Sequence, residues 1–251
     1  MTGIAYDSRF RFIAQGALVV AYRHLPRPVA MPRGHKRGKV TEFSDRSRRR
    51  LALLLHRLSP AWGVFITLTV ADASLSPQQV KSSALRRVIN WLMGLGFEAV
   101  VWKQEFQRRG AVHYHLLGLC WRKRPPWVKK RELAAKWGLG FVDVSFIDKG
   151  RVVTYVTKYV RKPASGSVVD STHTDISDGA VGAVEASPEA SPGRFWGIRG
   201  RENLVFARVV LLERLPEFLE DKFRRLLERV QDALGFVPGV LYLFSRQYLT
   251  A

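Results

Sequence analysis

Residues 98–121 read EAVVWKQEFQRRGAVHYHLLGLCW, and this stretch decides the fold. Two largely apolar runs, 98–107 and 111–121, flank the tripeptide 108–110, RRG, which is typical of a hairpin turn. β-branched and aromatic residues recur in both runs, so the pattern predicts two antiparallel strands. His113 and His115 lie one residue apart in the second strand. Because side chains alternate across a strand, both imidazoles are expected on one face of the sheet.

Glu105 lies in the first strand of this hairpin, and the turn brings it to about the level of the histidines. An unpaired carboxylate in an apolar strand would be costly to bury, so Glu105 needs a partner. Two imidazoles and a carboxylate on one face form half of a shell for a divalent metal, Mg²⁺ or Mn²⁺, with positions left for water and a phosphate oxygen. Two alternatives stay open: the histidines are hydrogen-bonded structural residues, or Glu105 forms a salt bridge with Lys103 or Arg108.

Other strands and helices are predicted on both sides of the hairpin. The strands are expected near 17–22, at 63–71 and at 141–148, where β-branched and aromatic residues recur. Apolar residues at helical spacing predict helices at 43–59 with Ser44 as the N-cap, at 76–94 with Pro77 near the first position, at 128–137, at 151–162 and at 216–234.

The predicted helix 151–162 carries the sequence YVTKY at 155–159. Tyr155 and Tyr159 are four residues apart and therefore share one helix face, with Lys158 and Lys162 beside them. A free tyrosine has a pKa near 10 and is a poor nucleophile. A neighbouring lysine and a metal-bound phosphate would favour the phenolate or stabilise the charge that develops when it attacks. The alternative is that both tyrosines flank the core with solvated hydroxyl groups.

The chain carries a formal net charge of +20 and has a pI of about 10.8. A field of this sign attracts polyanions, of which nucleic acid is the commonest, whereas no run of about 18 apolar residues predicts a membrane span. The single cysteine, Cys120, excludes a disulfide framework and a thiolate zinc site, and it fits the reducing cytoplasm. The polar N-terminal residues are not typical of a secretory signal, so a cytoplasmic protein is expected.

The motifs FITLT (65–69), HYH (113–115) and YVTKY (155–159), in this order, resemble the HUH endonucleases, specifically rolling-circle replication initiators of the phage and plasmid type. The filamentous-phage initiators, the gene II type, look most similar. The resemblance covers roughly 60–165. It implies an α+β fold in which a central antiparallel sheet is flanked by helices, a ferredoxin-like arrangement related to the RNA-recognition fold.

The resemblance also implies a mechanism. A divalent metal, Mg²⁺ or Mn²⁺, held by His113, His115 and Glu105, would polarise the scissile phosphate of single-stranded origin DNA. Tyr155 matches the nucleophile of one-tyrosine members, and Tyr159 matches the second nucleophile of two-tyrosine members. Attack would leave a 5′-phosphotyrosine and a free 3′-OH that primes a host polymerase. Because the sequence has no GxxxxGK[ST] motif, a separate helicase is expected in trans.

Basic side chains along the chain are expected to contact DNA phosphates with a strong salt dependence. They are Arg48, Arg49, Arg50, Arg122, Lys123, Lys129, Lys130 and Lys162. Thr67 and Thr69 are expected to support their strand and to contact DNA rather than to ligate the metal. Trp121 and Trp127 either stack on bases or belong to the core.

Four consecutive segments are predicted. They are a basic N-terminal segment with a helix (1–59), a nuclease core (60–163), an acidic flexible linker or insertion (164–193), and a strand–helix extension that packs on the core (194–251). The linker prediction rests on residues 164–192, which contain no Lys or Arg and five acidic residues.

Other functions stay open. A single-strand DNA transposase or a conjugative relaxase would use similar chemistry, although relaxases usually carry three histidines and an N-terminal tyrosine, and the transposases are shorter and commonly use one tyrosine. A non-catalytic nucleic-acid-binding protein would need only the charge, with the histidines structural. A hydrolase of small phosphoesters would explain neither the charge nor the tyrosines.

Overall fold

The computed structural model describes residues 10–23, 43–107, 109–153, 193–234, 240–245 and 249. Tyr155, Lys158, Tyr159 and Lys162 lie outside the described residues, and so does the predicted linker apart from Gly193.

The strands are numbered in chain order. They are β1 (Arg11–Gln15), β2 (Leu18–Tyr22), β3 (Trp62–Thr69), β4 (Ala99–Phe106), β5 (Val112–Cys120), β6 (Val142–Ile147), β7 (Trp196–Arg199), β8 (Val209–Leu212) and β9 (Val240–Phe244). The α-helices are α1 (Asp45–His56), α2 (Pro77–Val80), α3 (Arg86–Leu95), α4 (Lys130–Trp137) and α5 (Glu217–Leu234).

The chain forms two compact units, and each of them is discontinuous in sequence. The first unit comprises 1–36, 52–60 and 205–251, and the second comprises 37–51 and 61–204. The first unit draws on both ends of the chain because β1 pairs with β8 and β2 pairs with β9. This division differs from the four consecutive segments that the sequence predicts, since pairing between distant strands leaves no trace in local composition.

The first unit is built on an antiparallel sheet in the order β8-β1-β2-β9. Side chains of the sheet form a core with α5: Phe10 and Phe12 meet Phe223 edge to face, each with 5.4 Å between ring centroids. The predicted strand near 17–22 and the predicted helix 216–234 are confirmed as β2 and α5.

The second unit is built on a five-stranded antiparallel sheet in the order β6-β3-β5-β4-β7. From β3 to β6 the chain runs strand–helix–strand–strand–helix–strand, which is the ferredoxin-like order. The predicted α+β fold, with an antiparallel sheet flanked by helices, is confirmed. The edge strand β7 comes from the segment predicted as an extension.

One face of this sheet is covered by the helices α2, α3 and α4. Alternate strand residues such as Ile66 and Leu116 point into the same core as Val88, Leu92 and Trp137. A π-helical turn, Lys81–Leu85, joins α2 to α3, and Gly96 ends the helix in the left-handed conformation with φ 103°. The predicted helix start at Pro77 and end at Gly96 are therefore confirmed.

The described residues contain no helix that is long and apolar enough to cross a membrane. In α1 the Ser44 hydroxyl accepts a hydrogen bond from the Ser47 amide at 3.4 Å, which supports Ser44 as the predicted cap.

The tight fit between β5 and the ring of Phe97 provides a test of this fold. A methyl group added at Gly118 would lie 2.6 Å from that ring, whereas one added at Gly94 meets nothing within 4 Å. We expect Gly118→Ala to lower the free energy of unfolding by about 1–3 kcal/mol because the core is overpacked. Gly94→Ala, the matched control in α3, should leave it unchanged or raise it by up to about 1 kcal/mol. Denaturant unfolding of both variants measures the difference, and equal stabilities would contradict this packing.

Candidate metal and nucleic-acid site

The uncovered sides of β3, β4 and β5 carry a group of polar residues on one sheet face. Strand pairing aligns Thr69 with His113 and Thr67 with His115, and it aligns Glu105 with His113. The predicted hairpin, and the predicted level of Glu105 beside the histidines, are confirmed. Arg109 ties the turn to the end of β3, since its guanidinium donates to the carbonyls of residues 70 and 71 at 2.5 Å each.

Tyr114, between the histidines, points to the opposite face. It is fully buried and makes edge contacts with Trp102 and Trp137, and its hydroxyl donates to the Gln104 side chain at 3.3 Å. Burial raises the pKa of the Tyr114 phenol, so it is unsuited to act as a nucleophile. The HYH motif therefore divides its work: the tyrosine anchors β5 in the core and the imidazoles lie on the polar face.

The two threonines of FITLT hold the two imidazoles. Thr69 Oγ1 lies 2.9 Å from His113 Nδ1, and Thr67 Oγ1 lies 3.4 Å from His115 Nδ1. Phe65, on the same face, stacks on the His115 ring at 5.3 Å. Because Nδ1 of each ring is directed to a hydroxyl, Nε2 is the nitrogen through which either ring could ligate a metal. Sequence reasoning missed this role, although the threonines alternate with the same period as the histidines.

Glu105 divides its carboxylate between two partners. Oε1 accepts a hydrogen bond from the buried Lys103 ammonium at 2.5 Å, and Oε2 lies 3.4 Å from His115 Nε2. Burial alone would raise the pKa of Glu105, but the hydrogen bond from His115 and the charge of Lys103 outweigh it and hold that pKa far below its ordinary value of 4.5. The salt bridge to Lys103, one of the alternatives for Glu105, is present.

The donor set suits a divalent metal. Two ligands about 2.1 Å from one ion at a tetrahedral angle lie about 3.4 Å apart, which is the separation of His115 Nε2 and Glu105 Oε2. The His113 ring lies 4.6 Å from the His115 ring, centroid to centroid. Within the described residues, however, no three His, Cys, Asp or Glu side chains are already gathered for metal binding. A shared ion would therefore require the Glu105 carboxylate or the His113 ring to turn.

The described chain also reaches the histidine face at the start of the predicted tyrosine helix. A methyl group at Gly63 would lie 3.0 Å from Val152 Cγ2, and Gly63 alternates with Thr67 on the polar face of β3. Val152 and Val153 are buried and helical. The first turn of the predicted helix 151–162 is therefore present up to Val153, and its packing residue lies against β3.

The predicted phosphate-contacting residues fall into different surroundings. Arg49 and Arg50 are exposed on α1, and Lys123 is exposed after β5. Arg48 is largely covered, with its guanidinium over the Phe43 ring at 5.9 Å. Three more cations are paired: Arg122 with Glu98, Lys129 with Glu132 and Lys130 with Asp143, at 3.1–3.3 Å.

The two tryptophans also differ. Trp121 is half-buried, whereas 72% of Trp127 is exposed, so a core role is excluded for Trp127.

Comparison with known proteins bears on the second unit. The model of a family described as replication-associated protein, with ORF2 as its type, matches residues 63–164. The match begins in β3 and includes the histidines, Glu105 and the YVTKY segment, and it covers less than half of the chain. This part of the chain is thus similar to proteins associated with replication. No curated protein and no solved structure matches the chain.

The Lys103–Glu105 pair gives a stability prediction. Lys103→Met removes the cation beside a carboxylate of which only 24% of the side chain is exposed, so the pKa of Glu105 should rise and the free energy of unfolding at neutral pH should fall by roughly 1–3 kcal/mol. Because the depressed pKa stabilises the fold above the unfolded pKa and this stability is lost on acidification, the variant should also lose stability at a higher pH than the wild type.

The double variant Lys103→Met/Glu105→Gln leaves no unpaired charge, and it should recover much of the loss. Urea unfolding in chelator, repeated from neutral to acid pH, measures all three proteins. A single variant as stable as the wild type would show that the pair contributes nothing.

Proposed function

We propose that the protein is a rolling-circle replication initiator of the HUH type, which nicks and rejoins single-stranded origin DNA through a 5′-phosphotyrosine. The observation that carries the proposal is the polar sheet face, where Glu105 lies beside two imidazoles oriented by threonines. The match to replication-associated proteins over 63–164 supports the same interpretation. The likeness to gene II initiators rests on the motifs alone.

His113, His115 and Glu105 would hold Mg²⁺ or Mn²⁺, which when bound supplies a Lewis acid for a phosphate oxygen. The chain's own contribution is orientation. The threonines fix both rings, and Lys103 keeps Glu105 ionised, so a negative ligand is ready beside the imidazoles. Neutral imidazole nitrogens and an ionised carboxylate are the forms that bind a metal.

The tyrosines would perform the strand transfer. The phenolate oxygen of Tyr155 attacks the phosphorus, the bond from phosphorus to the 3′ oxygen breaks, and the leaving strand keeps a 3′-OH. Val152 and Val153 lie on the histidine face, and two further residues of chain span at most about 7 Å, which supports Tyr155 as the nucleophile. Lys158 would stabilise the charge that develops on phosphate or phenolate. Tyr159 would act as the second nucleophile, in the reverse joining step.

The positive charge of the chain would recruit the DNA in the cytoplasm, and the freed 3′-OH would prime a host polymerase, with a host helicase unwinding the duplex in trans. Exposed cations such as Arg49, Arg50 and Lys123 fit sequence-independent phosphate contacts.

A non-catalytic nucleic-acid-binding protein is the second candidate. It is favoured by the Lys103–Glu105 salt bridge and by the absence of a gathered three-ligand cluster within the described residues. In that case both histidines would serve only the sheet. The two candidates differ in whether a covalent DNA adduct forms.

Covalent capture tests the proposal. Incubation with labelled single-stranded origin DNA and Mn²⁺ should give a denaturation-resistant adduct that chelator prevents, and mass spectrometry should locate the DNA on Tyr155. We expect His113→Ala, His115→Ala and Glu105→Gln each to reduce adduct formation more than about 100-fold, since ligands matter more than the groups that orient them.

Matched variants control this experiment. Tyr155→Phe should abolish the adduct while Tyr242→Phe, in the other unit, leaves it intact, and Glu202→Gln on an exposed turn controls for Glu105→Gln. An adduct that survives Tyr155→Phe but not Tyr159→Phe would reverse the ranking of the tyrosines. No adduct from wild-type protein that binds the DNA would favour the non-catalytic candidate.

The threonine contacts predict a graded effect on the metal requirement. Thr69→Val removes the 2.9 Å partner of His113, and it should raise the Mn²⁺ concentration needed for half-maximal cleavage by about 10- to 100-fold. Thr67→Val removes a longer contact of 3.4 Å and should have a smaller effect. Metal titrations of the two isosteric variants measure this, and a shift in maximal rate with no change in metal requirement would argue for another role.

A further inference from the structure

An aromatic pocket lies at the start of β3, on the sheet face opposite the histidines. It has a volume of about 440 Å³ and is lined by Trp62, Arg124, Trp127, Phe146 and Asp148, among others. Trp127 and Phe146 stack nearly parallel, with centroids 4.5 Å apart at 11°. The volume is within the range of pockets that enclose small ligands, about 300–1,000 Å³.

The aromatic rings in this pocket are exposed to solvent. Trp127 is 72% exposed and Phe146 is 42% exposed, although large apolar side chains usually belong to a core. Phe146 lies on β6, an edge strand, where its register partner is Val64. The stacked pair therefore offers a rigid apolar plane that a flat ring could cover.

Positive charge borders the same plane. The Arg124 guanidinium lies over the Trp62 ring, 5.3 Å from its centroid. The loop that carries Arg124 is fixed at its start, because Glu98 accepts hydrogen bonds from the backbone amides of Trp121 and Arg122. Asp148 supplies the only acidic side chain among the described lining residues, so a phosphate should lie on the Arg124 side of the pocket.

We propose that this pocket binds an unpaired base of single-stranded DNA, stacked on Trp127 and Phe146, with its phosphate at Arg124. A base has the flat apolar face and the adjacent anion that this combination fits, and stacking on aromatic side chains is tolerant of sequence. The inference rests on the proposed function for the identity of the nucleic acid.

The pocket is distinct from the metal site. Trp62 lies five residues before Thr67 on β3, about 17 Å along the strand, and Phe146 points to the other face. The bound base would thus be several nucleotides from the phosphate that reacts. Its role is to hold and orient the strand, and its loss should weaken binding without removing the chemistry.

Binding in chelator, where no cleavage occurs, tests the pocket. Fluorescence anisotropy would compare a mixed-base oligonucleotide with an abasic oligonucleotide of the same length. We expect Trp127→Ala and Phe146→Ala to raise the Kd for the base-containing strand by about 5- to 150-fold, as truncation of a stacking residue does. The abasic strand should bind wild type and variants equally.

Further variants and DNAs separate the outcomes. Trp127→Phe should restore binding to near the wild-type level, while Phe218→Ala, an aromatic side chain 52% exposed in the other unit, should have no effect. If Trp127→Ala weakens the abasic strand as much as the base-containing strand, or leaves both unchanged, the base pocket is wrong.

The adduct assay distinguishes this inference from the proposed function. At saturating DNA, Trp127→Ala should still form the tyrosine adduct. An adduct without base-dependent binding at Trp127 would overturn the pocket alone. Base-dependent binding without an adduct would overturn the nuclease proposal and keep the pocket.

Discussion

The pairing of β3 with β5 is the constraint on which the site and the core both depend. Its register aligns Thr67 with His115 and Thr69 with His113, and in the same ladder it directs Ile66 and Tyr114 to the opposite face. Because side chains alternate with a period of two, a slip of one residue would place the histidines in the apolar core and the tyrosine in solvent. The free energy of core burial therefore also fixes the geometry of the polar face.

The polar face combines charges that would be costly to bury separately. Lys103 is buried and lies against the carboxylate of Glu105, which in turn lies against the His115 ring. Each charge is compensated by its neighbour, so the row can lie beside the buried strands without water. A divalent cation would compete with Lys103 for Glu105, and this competition sets the carboxylate as the ligand whose position responds to metal.

Local patterns in the sequence were enough for the parts of the fold that form between neighbouring elements. The hairpin of β4 and β5 is confirmed because alternation, turn and length all lie within 98–121, and this register also places Glu105. The contacts of Thr67 and Thr69 with the histidines join residues 48 and 44 positions apart, so local patterns could not reveal them. The same reason explains why the sheet built from both ends of the chain was not predicted.

The proposed chemistry and the proposed base pocket are connected through one short piece of chain. β6 ends at Ile147, Asp148 borders the pocket, and Val152 packs at Gly63 on the histidine face. Val152 follows Asp148 by four residues and Tyr155 comes three residues later, so the segment that leads to the tyrosine begins where a base would stack. A strand held at Trp127 and Phe146 would be tethered beside the start of this segment. Binding energy from a remote base could then be used to place the reacting phosphate, which is the general route by which contacts away from the chemistry accelerate it.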